Sequence, residues 1–232
     1  MNVLVIDVGG THVKVLATGQ KAPRKIDSGD TMNAARMAKQ VRKAVADWKF
    51  EAVSIGYPGM VVHGRIATEP HNLGEGWLNF NYPKAFGAPV RIVNDAAMQA
   101  LGSYDGGRLL FLGLGTGLGS AMISDGELQP MELAHLPFRK GRSYEDYLGR
   151  NGYDRLGKRK WGKRVAEAVE KLRLALEPDD VVIGGGNAKK LDQLPKGVRL
   201  GTTANAFVGG FRLWLPENSE RFPVSPSKGR QV

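Results

Sequence analysis

The stretch VLVIDVGGTHVKVLA, residues 3–17, decides the fold. Asn2–Asp7 has the apolar run of a buried strand, Gly9-Gly10 breaks it, and Val13–Ala17 resumes as a second strand. This pattern predicts a hairpin with a glycine turn. The same sequence of strand, glycine turn and strand recurs at Leu109–Ser124, LLFLGLGTGLGSAMIS. A repeat after about 100 residues predicts two related lobes.

Strand patterns alternate with helical patterns along the chain, so the predicted fold class is α/β. We predict an N-terminal lobe over residues 1–102 with the first glycine hairpin. A C-terminal lobe over residues 103–215 carries the second. The remainder, residues 216–232, is polar and proline-rich, which predicts a disordered tail.

Composition restricts the class of protein. The chain has 232 residues, of which 42% are hydrophobic and 24% charged, the ordinary balance of a globular protein. It contains no cysteine, which excludes disulfides and thiolate-bound metals and is consistent with a reducing compartment. The N-terminus has no basic region and no long apolar run, so we expect no signal peptide, no membrane span and a cytoplasmic location.

The charge is strongly basic, with a formal net charge of +10 and a pI near 9.8. This balance favours polyanionic partners such as phosphorylated metabolites, polyphosphate or nucleic acid. Basic residues concentrate in Arg36–Lys43 and again in Arg155–Arg164. For each run, a solvated helix face is the simpler interpretation.

Three glycine-rich turns are candidates for phosphate binding, although each alone is also compatible with a plain turn. In Asp7–Thr11 adjacent glycines let backbone N–H groups close on a phosphate, the threonine adds a hydroxyl, and the aspartate can hold Mg²⁺ through water. Gly113–Gly119 is a second hairpin cradle, and Gly184–Asn187 suits an adenine ring or a phosphate. The spacings match neither the P-loop nor the dinucleotide motif. The predicted phosphate or nucleotide contacts are Asp7, Gly9, Gly10, Thr11, Lys14, Gly115, Thr116, Gly117, Gly184, Gly185, Gly186 and Asn187.

Polar residues at three further points are candidates for chemistry. Asn94-Asp95 lies between a strand and a helix, where an aspartate can act as a catalytic carboxylate, as a helix cap, or as both. Glu132 and His135 would share a face on a helical turn and could grip sugar hydroxyls. An exposed pair without a ligand is the alternative, and four histidines without cysteine make a tetrahedral zinc site improbable. Glu145 is a candidate third residue of the same sugar-binding set.

The order of these motifs resembles the ROK family of bacterial sugar kinases, in the actin and hexokinase superfamily. The resemblance covers roughly Val3 to Gly210. It implies a two-lobed fold of the actin-like ATPase, ribonuclease H-like class. The matching segments in chain order are DVGGT, PGMV, PHNLGEGW, VNDA, GLGTGLGS, DGELQPMELAH, YEDYLGRNG and IGGGN.

The resemblance also implies roles for individual residues. In the family pattern an Asn-Asp pair supplies the base, which here is Asp95. An E-x-G-H motif binds sugar, and this chain has Ala134 in place of its glycine. A later glutamate and the asparagine of a P-N-L segment complete the sugar site. The implied sugar-binding residues are Asn72, Asn94, Asp95, Glu132, His135 and Glu145.

Two departures from the family pattern indicate which branch of the family this chain resembles. Most ROK members carry a cysteine-rich zinc loop after the E-x-G-H motif, and this chain has none, so zinc is not implied. The linker Leu136–Arg142 is abbreviated, and with the short length and the DGELQPMELAH segment it looks most like the polyphosphate glucokinase branch. ROK kinases are usually dimers, which implies a homodimer.

We therefore predict a hexokinase- or glucokinase-type phosphotransferase that uses Mg²⁺ without zinc. ATP or polyphosphate is the donor, a hexose is the acceptor, at the 6-hydroxyl of glucose, and Asp95 is the general base. We expect no nucleic-acid or membrane partner. The alternatives are a sugar-binding relative impaired by Ala134 and the short linker, or a kinase for another small hydroxylated substrate. A sugar-responsive repressor would need a helix-turn-helix, and no segment precedes the first strand. An actin-like polymer protein would lack the sugar-site set.

Overall fold

The computed structural model of this chain describes residues 1–215, so the predicted disordered tail lies outside the described residues. Contacts divide the described chain into two compact units. The first unit is Met1–Met98 together with Ala206–Leu215, and the second is Gln99–Asn205. Within this range no helix is long and apolar enough to cross a membrane.

The first unit is built on a five-stranded sheet with the order β3-β2-β1-β4-β7. Strands β1, β2 and β3 pair antiparallel, whereas β1, β4 and β7 are parallel, so the carboxyl ends of these three lie at one edge. Strands β5 and β6 form a separate two-stranded ribbon. The elements are β1 (Val3–Val8), β2 (His12–Ala17), β3 (Arg24–Asp27), α1 (Ala34–Ala44), β4 (Ala52–Tyr57), β5 (Val61–Val62), β6 (Arg65–Ile66), α2 (Tyr82–Phe86), β7 (Val90–Asn94) and α3 (Asp95–Ser103).

The second unit repeats this plan with the sheet order β10-β9-β8-β13-β14. An antiparallel hairpin, β8–β9, is again flanked by an antiparallel edge strand and by two parallel strands. The repeated strand order agrees with the repeat that the sequence predicts. The elements are β8 (Arg108–Leu114), β9 (Leu118–Ser124), β10 (Glu127–Met131), β11 (Pro137–Arg139), β12 (Arg142–Ser143), α4 (Tyr144–Leu148), α5 (Arg150–Leu156), α6 (Lys158–Leu176), β13 (Asp180–Gly184), a short 3₁₀ helix (Ala188–Lys190) and β14 (Val198–Leu200). The chain then returns to the first unit with the last helix, α7 (Asn205–Arg212).

Each unit has its own hydrophobic core. In the first, the apolar face of α1 packs on the sheet through Met37 and Val41, and Asn33 caps the helix by accepting from the N–H of Arg36. In the second, the long helix α6 buries Trp161 and the residues that follow it at helical spacing.

The final helix, α7, packs on the sheet of the first unit, which differs from the predicted division at residue 102 with α7 in the C-terminal lobe. The reason is burial, because Ala206 and Phe207 join Val5 in an apolar cluster. The hydroxyl of Ser54 on β4 also donates to the carbonyl of Gly210 at 2.6 Å.

Replacing Gly210 with alanine tests this packing. A Cβ at that position would overlap the side chain of Val5, so we expect Gly210→Ala to lower the free energy of unfolding by about 1–3 kcal/mol. Alanine is intrinsically the better helix former, so the loss cannot come from helix propensity. Urea denaturation of the full chain measures it. Val208→Ala, at an exposed position of the same helix, should change stability by less than about 0.5 kcal/mol. Equal effects of the two substitutions would contradict the packing.

Candidate active site

The first glycine hairpin joins β1 to β2 and closes on itself. The N–H of Gly9 donates to the carbonyl of His12 at 3.1 Å, and the hydroxyl of Ser28 donates to the carbonyl of Gly9 at 2.5 Å. Within residues 1–215 the N–H groups of Gly10 and Thr11 have no partner. Two adjacent free N–H groups make a concavity suited to an anion. The predicted contact by Gly9 cannot use its N–H, which closes the turn.

Asp7 and Lys14 face each other across the β1–β2 pair. Their register is direct, and the Nζ of Lys14 lies 3.7 Å from Oδ2 of Asp7. Burial raises the pKa of Asp7, and the ammonium of Lys14 works in the opposite direction. The lysine, predicted to meet phosphates, therefore already neutralises a carboxylate beside the hairpin.

Asp95 lies at the start of α3, directly after β7. Its Oδ1 accepts from the N–H of Ala96 at 2.8 Å. Burial, and after it the negative charge of Asp7, raise the pKa of Asp95 to about 7, and the hydrogen bond from the Ala96 N–H works in the opposite direction. A carboxyl group with this pKa exchanges a proton near neutral pH.

Asn94 shares the cap of α3 with Asp95. Its Oδ1 accepts from the N–H of Ala96 at 2.9 Å, and its Nδ2 donates to the carbonyl of Gly59 at 3.0 Å. The amide therefore fixes both the start of the helix and the Pro-Gly loop after β4. Its predicted contact with sugar stays a prediction.

The two aspartates occupy the same edge of the sheet. Asp7 on β1 is in register with Gly56 on β4, and the neighbouring Tyr57 is in register with Asn94 on β7. Gly56 carries no side chain there, and a Cβ would overlap Met98. Only strand β4 separates the strands that end at Asp7 and Asp95, at the edge where open parallel sheets bind ligands.

Asn72 lies beside the first hairpin on an exposed loop. A Cβ built at Gly10 would be 3.5 Å from the Cβ of Asn72. The loop is held by Glu69, whose carboxylate accepts from the backbone N–H groups of residues 76–78 at 3.2 Å. Sequence analysis missed Glu69. One acidic residue before a glycine-containing loop is a weak signal, since the partners are backbone groups.

The second glycine hairpin, residues 115–117, repeats the arrangement of the first. The N–H of Gly115 donates to the carbonyl of Gly117 at 3.1 Å and closes the turn. No group within the described range pairs with the N–H of Thr116 or of Gly117. Each unit thus presents one pair of adjacent free N–H groups at a hairpin tip.

The junction of α4 and α5 supports this second hairpin from one side. Oε2 of Glu145 accepts from the N–H of Leu118 at 3.0 Å, and the N–H of Arg150 donates to the carbonyl of Thr116 at 3.0 Å. A Cβ at Gly117 would overlap the Glu145 carboxylate, so a larger residue would displace that carboxylate from the hairpin. Glu145, a predicted sugar ligand, therefore also positions the phosphate hairpin.

The segment after β13 supports the hairpin from the other side. Asn187 is buried, and its Nδ2 donates to the carbonyl of Gly115 at 2.7 Å while its N–H donates to Leu114 at 2.9 Å. Gly185 has φ +84° and lies against Leu114, whereas Gly186 has open space around it. The nucleotide contacts predicted for Gly184–Asn187 stay a prediction, and the structure adds a supporting role.

Glu132 and His135 lie in the irregular segment between β10 and β11, which includes a turn at residues 134–135. Both side chains are exposed. Ala134 between them is buried, has no positive φ, and its carbonyl accepts from the N–H of Glu145 at 3.0 Å. The turn is thereby tied to α4, and an alanine fits there without strain.

No group of three or more His, Cys, Asp or Glu side chains within residues 1–215 could hold a metal ion. At the sheet edge described above, Asp7 and Asp95 supply carboxylate oxygens. Such a sparse oxygen set suits Mg²⁺, which keeps most of its waters and is shared with a phosphate ligand.

Two α/β units with the same strand order, each with a glycine hairpin that can bind an anion, are the plan of the actin-like ATPase fold. The family model of the ROK family matches residues 3–130, more than half of the chain. The chain belongs to the ROK family.

Similar proteins agree with this assignment. The polyphosphate glucokinase of Mycobacterium tuberculosis is 29% identical over 247 residues, covering 96% of this chain and 84% of the relative. The inorganic polyphosphate/ATP-glucomannokinase of Arthrobacter sp. strain KM matches with a TM-score of 0.77 at 23% identity, covering 90% of this chain and 96% of that one. A ROK family glucokinase from Streptomyces griseus, in complex with glucose and AMPPNP, matches with a TM-score of 0.68 at 18% identity, covering 92% and 99%. These matches confirm the predicted fold.

Hydrogen exchange at Leu118 tests the support of the second hairpin. Glu145→Ala removes the acceptor of the Leu118 N–H, so we expect that amide to exchange about tenfold faster. Glu145→Gln keeps a carbonyl oxygen at the same place and should retain most of the protection. Exchange that is equal in the wild type and the alanine variant would show that the carboxylate does not hold the hairpin.

Proposed function

We propose that this ROK-family chain is a sugar kinase that transfers a phosphoryl group from ATP or polyphosphate to a hydroxyl of a hexose. The observation that carries the proposal lies within the first unit. A proton-accepting carboxylate, Asp95, shares one sheet edge with Asp7 and with the free N–H groups of Gly10 and Thr11. Phosphoryl transfer needs this combination of a base, a cation site and a phosphate cradle.

The acidic edge supplies the base and the metal contact. In the proposed mechanism Asp95 accepts the proton of the attacking sugar hydroxyl, and a pKa of about 7 suits a base that works near neutral pH. Asp7 would hold Mg²⁺ through water, and Mg²⁺ supplies neutralisation of the phosphate charge. Lys14 offsets the negative charge of Asp7 and so limits repulsion of the incoming phosphates.

The other candidate residues have proposed roles within each of the two units. In the first unit, Asn72 is proposed to contact the sugar, with Asn94 positioning the base. In the second, the free N–H groups of residues 116–117 bind donor phosphate, and Gly186 leaves room for a nucleotide base. Glu132, His135 and Glu145 are the proposed sugar-hydroxyl ligands.

The similar proteins support the donor and the acceptor. The Mycobacterium tuberculosis relative is described as a polyphosphate glucokinase, and the Arthrobacter enzyme as using inorganic polyphosphate or ATP. Glucose as the acceptor, at its 6-hydroxyl, and a homodimeric assembly are the finer parts of the proposal. An impaired sugar binder is less well supported, because Ala134 is buried without backbone strain.

Asp95→Asn is the first test. The substitution keeps size and the capping oxygen, and Asn94 still caps α3, so the fold and sugar affinity should persist. The proton acceptor is lost, so we expect kcat to fall by about 10²–10⁴. A coupled assay with glucose and ATP measures turnover. Asp30→Asn removes an exposed carboxylate from the same unit and should leave kcat unchanged. Near-wild-type turnover of Asp95→Asn would exclude Asp95 as the base.

The pH dependence of the wild type and of Asp95→Asn tests the base assignment independently. The ionised carboxylate is the base, so wild-type kcat/KM should rise with pH and level off above about 7. The pKa of Asp95 is raised from 3.8, so the folded state binds the proton more tightly than the unfolded state. Its contribution to stability therefore falls as pH rises from about 4 to about 7. Asp95→Asn should be more stable than wild type at pH 8 and nearly equal at pH 4. The reverse order in thermal unfolding would contradict the raised pKa.

Glu132→Gln and His135→Ala test the sugar ligands. Each removes one partner of a sugar hydroxyl, so we expect the KM for sugar to rise about tenfold and discrimination between glucose and mannose to weaken, with the KM for ATP unchanged. Titration calorimetry with both sugars provides the affinities. Glu127→Gln, an exposed position on β10, is the matched control. Unchanged affinity for both sugars in both variants would remove these residues from the site.

A further inference from the structure

The first turns of α6 carry an exposed basic surface that the proposed chemistry does not use. We define the basic surface as Arg159, Lys160 and Lys163, which are all exposed. Their spacing of three and four residues places them on one helix face, opposite the buried Trp161. They line one surface pocket, and within residues 1–215 none has an acidic partner. The first turn of α6 has no acidic residue either.

The neighbouring cations of the same run are already engaged. Lys158 pairs with Asp192 at 2.5 Å, and Arg164 pairs with Glu167. Arg155 donates to the carbonyl of Asp146 at 2.7 Å. The structure therefore separates three structural cations from the three of the basic surface, a distinction that the sequence does not make.

Two segments connect the second hairpin to the basic surface. Helix α5 begins at the hairpin, where the N–H of Arg150 donates to Thr116, and leads into Gly157 and α6. The 3₁₀ helix begins beside the hairpin, after Asn187, and its chain continues to Asp192, the partner of Lys158. Seven residues of α5 span about 10 Å, so the two places are a few phosphates apart.

We propose that the basic surface binds the distal phosphates of inorganic polyphosphate whose terminal phosphoryl group lies at the second hairpin. This inference rests on the proposed kinase function and identifies where the polymeric donor extends. A linear polyanion reaching three unpaired cations releases counterions, so its binding should weaken steeply with salt. ATP has only three phosphates before its adenosine, so it carries no negative charge far enough from the second hairpin to contact the basic surface.

The variant that tests the inference is the triple substitution Arg159→Gln, Lys160→Gln and Lys163→Gln. We expect the KM for long-chain polyphosphate to rise about tenfold, from three weak exposed contacts, while kcat is unchanged. The KM for ATP and for tripolyphosphate should change by less than twofold. The salt dependence of the polyphosphate KM should also become shallower.

The matched control removes three exposed lysines from the first unit by Lys39→Gln, Lys43→Gln and Lys49→Gln. It changes net charge by the same amount, so it should leave every donor KM near the wild-type value. Equal loss in both triple variants would mean that overall charge, not the basic surface, attracts the polymer, and would overturn the inference.

The remaining outcomes separate the inference from the kinase function. Turnover with ATP and none with polyphosphate of any length would overturn the inference and leave the kinase intact. An equal rise in the KM for ATP would also overturn it. If no donor supports turnover, the kinase proposal fails, and direct titration of fluorescent long-chain polyphosphate still decides the inference, since the first triple variant should bind about tenfold more weakly. Equal binding by wild type and that variant, or equally tight binding of single-stranded RNA to the same surface, would refute polyphosphate as its partner.

Discussion

Asp7 and Asp95 are two acidic groups held at one edge of a parallel sheet, with a single strand between their strands. Removing them from water raises the pKa of both, and the charge of Asp7 adds to the shift of Asp95. Lys14 offsets part of this cost from the adjacent strand. Two neighbouring features accompany this placement. Gly56, which has no side chain, lies on the strand between the two aspartates. Asn94 and Asp95 both accept from the N–H of Ala96 at the start of α3. The result is a carboxyl group, Asp95, that holds its proton more tightly than an ordinary aspartate and releases it near neutral pH.

The two glycine hairpins are held in the same way. A phosphate-binding turn needs unpaired backbone N–H groups, but other hydrogen bonds must still hold the turn in one conformation. In each hairpin the first glycine closes the turn and the next two N–H groups stay free. The second hairpin is held by Glu145 on one side and by Asn187 on the other. Rigid support of this kind limits reorganisation during phosphoryl transfer.

Local pattern was sufficient for the two glycine hairpins, because apolar runs and closely spaced glycines act over a few residues. It did not decide the conformation at Glu132 and His135, since a spacing of three residues fits a turn as well as a helix. The role of Glu69 was missed because its partners are main-chain N–H groups that any residue provides. Likewise, six cations in one run looked alike until Asp192 and Glu167 proved to neutralise two of them.

The sequence by itself determined the α/β class, the repeated hairpins and the family, because these depend on residue type and on short-range order. Only the tertiary structure decided which N–H groups stay free, that α7 packs on the first unit, and that Glu145 and Asn187 grip the second hairpin. These contacts join residues far apart in the chain. They depend on burial and hydrogen-bond geometry that arise when the sheets assemble, and no local pattern records them.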